Sequence, residues 1–119
     1  MRLTQKEQEA LLILNLAEVS RRRWKRGLKL NYIEAAAVIM GELLERAREG
    51  NTSVRELMEV GARIISLEDV MDGAPSLLPM LQFEVLLPDG NKLITIHNPI
   101  ALEKRQDTVP MEELVSMVC

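Results

Sequence analysis

One cysteine, one histidine and three aromatic residues are all that 119 positions contain of those types, and each scarcity closes off a class of explanation. A single cysteine excludes an internal disulfide and suits a reducing compartment. That cysteine, Cys119, has no basic residue beside it in sequence to activate a thiolate, which argues against a catalytic thiol. Metal centres and acid–base dyads recruit several histidine, cysteine or carboxylate groups at fixed spacing. His97 stands alone, with no H-x-H, H-E-x-x-H or C-x-x-C pattern near it. The glycines are single and fall at the ends of expected helices and turns, so none forms a phosphate-binding loop. No apolar run approaches the roughly 20 residues needed to cross a bilayer. The opening Met1-Arg2-Leu3-Thr4 leads into charged residues rather than a signal peptide. These features together read as a soluble, cytoplasmic chain.

What is present is aliphatic. Hydrophobic residues make up 47% of the chain, enough for one core in one domain of this length. With only Trp24, Tyr32 and Phe83 as aromatics, leucine, isoleucine, valine and seven methionines must fill that core. The net charge of −3 is uneven: residues 1–60 carry 11 basic and 9 acidic side chains, residues 61–119 carry 4 and 9. Such polarity could orient an assembly, but it is too mild to make nucleic acid the main partner.

The plainest local signal is the stretch Leu81–Ile100. Leu81, Phe83, Val85 and Leu87 alternate with Gln82, Glu84 and Leu86, the period of a strand with one buried face. Pro88-Asp89-Gly90-Asn91 is turn chemistry, and Lys92 to His97 returns as a second strand that Asn98-Pro99 stops. A two-stranded hairpin is marginal in water and leaves two open edges, so it must lie on helices, on another chain, or on both.

Upstream, Thr4 with Glu7, Asn31 with Glu34, Ser53 with Glu56 and Ser66 with Asp69 each match a helix-starting capping box. Gly27, Gly50, Gly61 and Gly73 stand where the corresponding helices should stop. The second helix is apolar almost all round over Ile33–Met40, and Ala35, Ala36, Ala37 and Gly41 permit close backbone approach, so it should be the central one. On a helical wheel for the first helix, Leu12, Ile13, Leu16, Ala17, Val19 and Trp24 share one broad side. Leu11 and Leu14 fall opposite, among Asn15, Glu18, Arg21 and Arg22. Those two leucines are compatible with incidental exposure and with an intermolecular contact. The expected architecture is α+β: an N-terminal bundle of three to four α-helices, then a C-terminal antiparallel β-hairpin.

Residues 101–119 read differently. Glu103 to Thr108 is polar, a linker by composition, and Pro110 could open a short helix with Met111, Leu114, Val115 and Val118 at helical spacing. One such stripe is too short to hold alone, so it docks on something or stays disordered. The segment Arg21-Arg22-Arg23-Trp24-Lys25-Arg26 could form a phosphate-binding patch. Cations in the last turn of a helix are also what the helix dipole favours, and carboxylates of a partner subunit suit arginine equally well.

Six motifs in order carry a resemblance: Met1 to Glu9 (MRLTQKEQE), Arg21 to Asn31 (RRRWKRGLKLN), the stretch from Glu34, Glu56 to Gly61 (ELMEVG), Glu68 to Gly73 (EDVMDG), and Leu87 to Ile100 (LPDGNKLITIHNPI). Over residues 1–100 the chain resembles the gamma subunit family of bacterial urease. The resemblance implies assembly with beta and alpha subunits as a trimer of heterotrimers, and hydrolysis of urea to ammonia and carbamate at a two-nickel site. Nickel ligands in that family belong to the alpha subunit, so the resemblance implies no catalytic, cofactor-binding or metal-binding residue in this chain. Departures occur at Ile13-Leu14-Asn15-Leu16, where members commonly carry histidine and tyrosine, and at Tyr32-Ile33, where they often carry histidine and proline. The domain expected is therefore 1–100, with 101–119 as a C-terminal extension. Candidate subunit contacts are Leu11, Leu14, Arg21, Arg22, Pro88, Asp89, Gly90, His97, Asn98 and Pro99. His97 is expected to tie down Asn98-Pro99 by a hydrogen bond or to reach a partner chain. Two competing readings are a diverged paralogue serving as a free-standing interaction module, and a small nucleic-acid-binding protein using Arg21 to Arg26.

Overall fold

The computed structural model describes residues 2–114. Helix α1 spans Gln5–Lys25 and starts with the reciprocal box in place: Glu7 N–H donates to Thr4 Oγ1 at 3.1 Å, and Thr4 N–H donates to the Glu7 carboxylate at 2.8 Å. Its end is set by Gly27, whose φ of +84° only glycine adopts without strain. Gly27 N–H then bonds to Trp24 O and Leu28 N–H to Arg23 O, which satisfies the last carbonyls. Helix α2 spans Tyr32–Glu49 behind the Asn31–Glu34 box, and α3 spans Val54–Gly61 behind Ser53. In α3 only half of the expected box forms, because the Glu56 carboxylate accepts from the Thr52 hydroxyl instead.

Of the glycines expected to stop helices, Gly61 does so and serves packing as well, whereas Gly73 does not. Gly61 lies within α3, and a Cβ there would stand 2.3 Å from Ile96 Cδ1 and 3.0 Å from Leu43 Cδ1. It is glycine so that α3 can sit directly on the hairpin. The fourth capping box, Ser66 with Asp69, opens a single 3-10 turn, Leu67–Asp69, rather than a helix running to Gly73. Val70 instead pairs with Leu30 in a parallel bridge, with Leu30 N–H bonded to Asp69 O and Met71 N–H to Leu30 O. That pairing demands extended backbone at Val70, which ends the turn. Gly73 starts the next helix, the four-residue α4, Ala74–Leu77.

Strands β1, Met80–Leu87, and β2, Gly90–His97, pair antiparallel, Leu81 opposite Ile96 and Leu87 opposite Gly90, across the loop Pro88-Asp89. Leu81, Val85, Leu87, Ile94 and Ile96 face the core. The layout is therefore α+β, helices first and hairpin last, with α2 at the centre. Helix α1 packs on one side of α2, α3 and β1 on others, and α3 against β2. The α1–α2 approach is close because it pairs Ala17 with Gly41; a Cβ on Gly41 would lie 2.7 Å from Ala17 Cβ.

The segment after Ile100 is not a free linker. Through residue 114 it folds back as a strap. Leu67 N–H donates to Leu102 O, Val109 N–H to Arg63 O, and Arg105 N–H to the Glu68 carboxylate. Instead of the short helix expected from Pro110, Met111–Glu113 makes one 3-10 turn and Leu114 returns to extended backbone, fully buried. Val115 and Val118 lie outside the described residues. The strap's principal fastening is Arg105. Its guanidinium donates to Ile64 O, to Val109 O and to Asp69 Oδ2, and lies 4.9 Å from the centre of the Trp24 ring. Asp69, buried, also accepts from Trp24 Nε1 at 3.1 Å and from the Ser66 backbone and hydroxyl at 2.8 Å each. Four donors around one carboxylate satisfy a charge that would otherwise be costly to bury.

Gly41→Ala should lower stability by up to about 2 kcal/mol, overpacking outweighing the gain in helix propensity. In a denaturation cycle with Ala17→Gly, the double substitution should cost less than the two single costs added. Arg105→Ala should cost about 2–3 kcal/mol by urea denaturation, since it removes charged hydrogen bonds and a cation–π contact together.

Candidate subunit interface

The exposed surface of α1 is more apolar than its wheel suggests. Docking through Ala17 and Trp24 turns the helix so that Ile13, Leu14, Ala17, Arg21 and Trp24 face inward. Leu12, Leu16 and Val19, grouped with that inward side on the wheel, point outward as an i, i+4, i+7 stripe. Leu12 is 69% exposed. The small-residue fit between Ala17 and Gly41 thus decides the rotation, against the larger apolar area it leaves in solvent. Leu11 is exposed as expected, but Leu14 is half-buried on the inner side.

The arginines are largely committed within the chain. Arg21 is buried; its Nη2 donates to the Glu18 carboxylate at 2.8 Å, while Nε and Nη1 have no hydrogen-bond partner. Arg22, exposed, reaches the same Glu18 at 3.2 Å. Arg23 donates to Glu34 at 2.6 Å. Arg21 and Arg22 thus meet on one carboxylate of α1, whereas Arg23 reaches across to α2.

The hairpin candidates divide between its two ends, about 24 Å apart for an extended strand of this length. At the tip, Pro88 and Asp89 are exposed, Gly90 has a φ of +120°, and Asp89 pairs with Lys92 at 3.3 Å. At the other end His97 is exposed, and its ring makes no hydrogen bond among the described residues. The Asn98-Pro99 corner is held by backbone instead: Asn98, at φ +49°, donates its N–H to Pro79 O at 2.8 Å. Pro99 is buried, so it supports the corner from inside. The outer face of the hairpin, which sequence patterning marks as polar, carries Leu86 and Leu93, both exposed and diagonal across the pair.

The ten candidates therefore do not converge on one site. Leu11 and Arg22 lie on the outer surface of α1, Leu14 and Arg21 on its inner side, and the other six at the two ends of the hairpin. The family model described as urease, gamma subunit, matches residues 1–100. The chain belongs to the urease gamma subunit family. Membership associates it with a multi-subunit urease, a hydrolase. Among the described residues no group of three or more His, Cys, Asp or Glu could hold a metal such as nickel, and the one histidine is exposed. No described helix is long and apolar enough to cross a membrane.

Burial raises the pKa of Glu34, but the Asn31 backbone N–H and the Arg23 guanidinium outweigh it and hold the carboxyl below its ordinary value. A depressed folded-state pKa contributes stability above the unfolded-state value and loses it as pH falls through the folded one. Denaturation midpoints measured from neutral pH into the acid range should therefore fall, and Glu34→Gln should flatten that part of the profile.

Proposed function

We propose that this chain is a non-catalytic structural subunit of a nickel-dependent urease. In this reading it assembles with beta and alpha subunits as a trimer of heterotrimers, and the complex hydrolyses urea to ammonia and carbamate. The observation that carries the proposal is the family match over residues 1–100. A single histidine supports placing the nickel in the alpha subunit, because imidazole-rich metal sites need several. The single cysteine suits the reducing cytoplasm to which this reading assigns the complex.

Two surfaces support an assembly role. One is the stripe of Leu12, Leu16 and Val19 with neighbouring Leu11 and Arg22; the other is the hairpin, with Pro88, Asp89 and Gly90 at its tip and His97 and Asn98 at its far end. Exposed apolar residues grouped on one face mark interaction surfaces more often than scattered ones do. A second reading, a free-standing interaction module, draws on the strap, which lies beyond the matched residues yet is fastened to the core by Arg105.

Co-expression of the tagged chain with urease beta and alpha subunits decides between the two. The first reading expects one co-purifying, nickel-containing complex that hydrolyses urea. Leu12→Asp with Leu16→Asp should abolish co-purification while changing the denaturation midpoint little, because both side chains are exposed. A monodisperse chain that ignores both subunits would favour the second reading.

A further inference from the structure

A groove of about 600 Å³ runs between the N-terminal half of α1 and strand β1. Ala10 and Ile13 form one wall, Leu44 of α2 the floor, and Phe83 and Val85 the other wall. Five consecutive residues of β1, Gln82 to Leu86, line it. Neighbours in a strand point to opposite faces, so a consecutive run means that the strand's edge borders the groove as well as its inner face. Among the described residues β1 is paired on one side only, to β2. Its other side therefore offers unpaired backbone N–H and C=O groups, the template on which another strand adds.

The rim carries Lys6, Glu7, Glu9 and Glu84, three carboxylates against one ammonium. Lys6 and Glu84 form an ion pair at 3.0 Å, with both side chains more than half exposed. Such a pair contributes little and can open. The rim's charge also disfavours a second copy of this chain. Antiparallel pairing of two β1 edges about the centre of the run would set one Glu84 against the other, and neither β1 brings a basic residue.

We infer that the groove takes an extended segment of a partner polypeptide, apolar on its inward side and flanked by lysine or arginine, as a third strand beside β1. The inference rests on the assembly reading above only for the identity of that partner. Antiparallel pairing within the hairpin uses the backbone groups of alternate β1 residues. Strand addition should therefore protect the other, interleaved set.

The test uses the full chain and a probe peptide, Lys-Val-Thr-Val-Thr-Val-Lys, with amide hydrogen exchange read residue by residue. Saturating peptide should slow exchange about tenfold at alternate amides within Gln82–Leu86, and at few others. Ala10→Trp, which plugs the groove, should remove that protection, and Glu84→Lys should weaken it. The same amides should be protected in the chain co-purified with urease beta and alpha subunits. Peptide protection without any complex would uphold the groove and refute the assembly reading. A complex in which Ala10→Trp assembles normally and the β1 amides stay unprotected would refute the groove and leave the assembly reading standing. Protection that grows with the concentration of the chain alone would mean a second copy occupies the edge, and would overturn the proposal.

Discussion

Helix α2 has small or apolar residues on nearly every side of its middle turns, and a helix of that kind has to be covered on several sides at once. Everything else in the fold is arranged by that demand. Helix α1 covers one side through the contact of Ala17 with Gly41, α3 covers another, and β1 lies along a third. The hairpin, marginal alone, gains a substrate to lie on, and Gly61 lets α3 close over it without a methyl in the way. One buried helix thus sets the position of each remaining element.

A second constraint is polar. Asp69 is a buried carboxylate, and the donors that make its burial tolerable come from three separated parts of the chain: Trp24, Ser66 and Arg105. The end of α1, the turn after α3 and the strap are held at one point as a result. Charge-assisted hydrogen bonds of this kind are individually among the stronger ones in proteins. Because one partner lies at position 105, the folded unit extends beyond the 100 residues that the family shares.

Much of this was legible from residues alone, where a local rule with a fixed spacing applied. The capping boxes at Thr4 and Asn31, the alternation of Leu81 to Leu87 and the turn at Pro88-Asp89 each reduce to nearest-neighbour chemistry, and each stands where expected. The failures share a different cause. Rotation of α1 depends on which of its residues meets Gly41, a partner 24 positions away, so the wheel misplaced Leu12, Leu16 and Val19. Val70 is extended because of Leu30, and the polar segment at Arg105 docks because of Asp69. None of those pairings has a periodic signature. Burial gives no local signal either, since Leu14 and Pro99 look like any other leucine and proline until packing half-covers the one and buries the other.

Trp24 is the chain's sole tryptophan. Its indole N–H rests on Asp69 and a guanidinium lies over its ring. A fluorophore so placed is a built-in optical gauge of whether the strap is closed, because loosening of Arg105 alters the charge above the indole before the aliphatic core need open. Emission and far-ultraviolet dichroism recorded on the same sample would then separate release of the strap from melting of the helices, with no label attached.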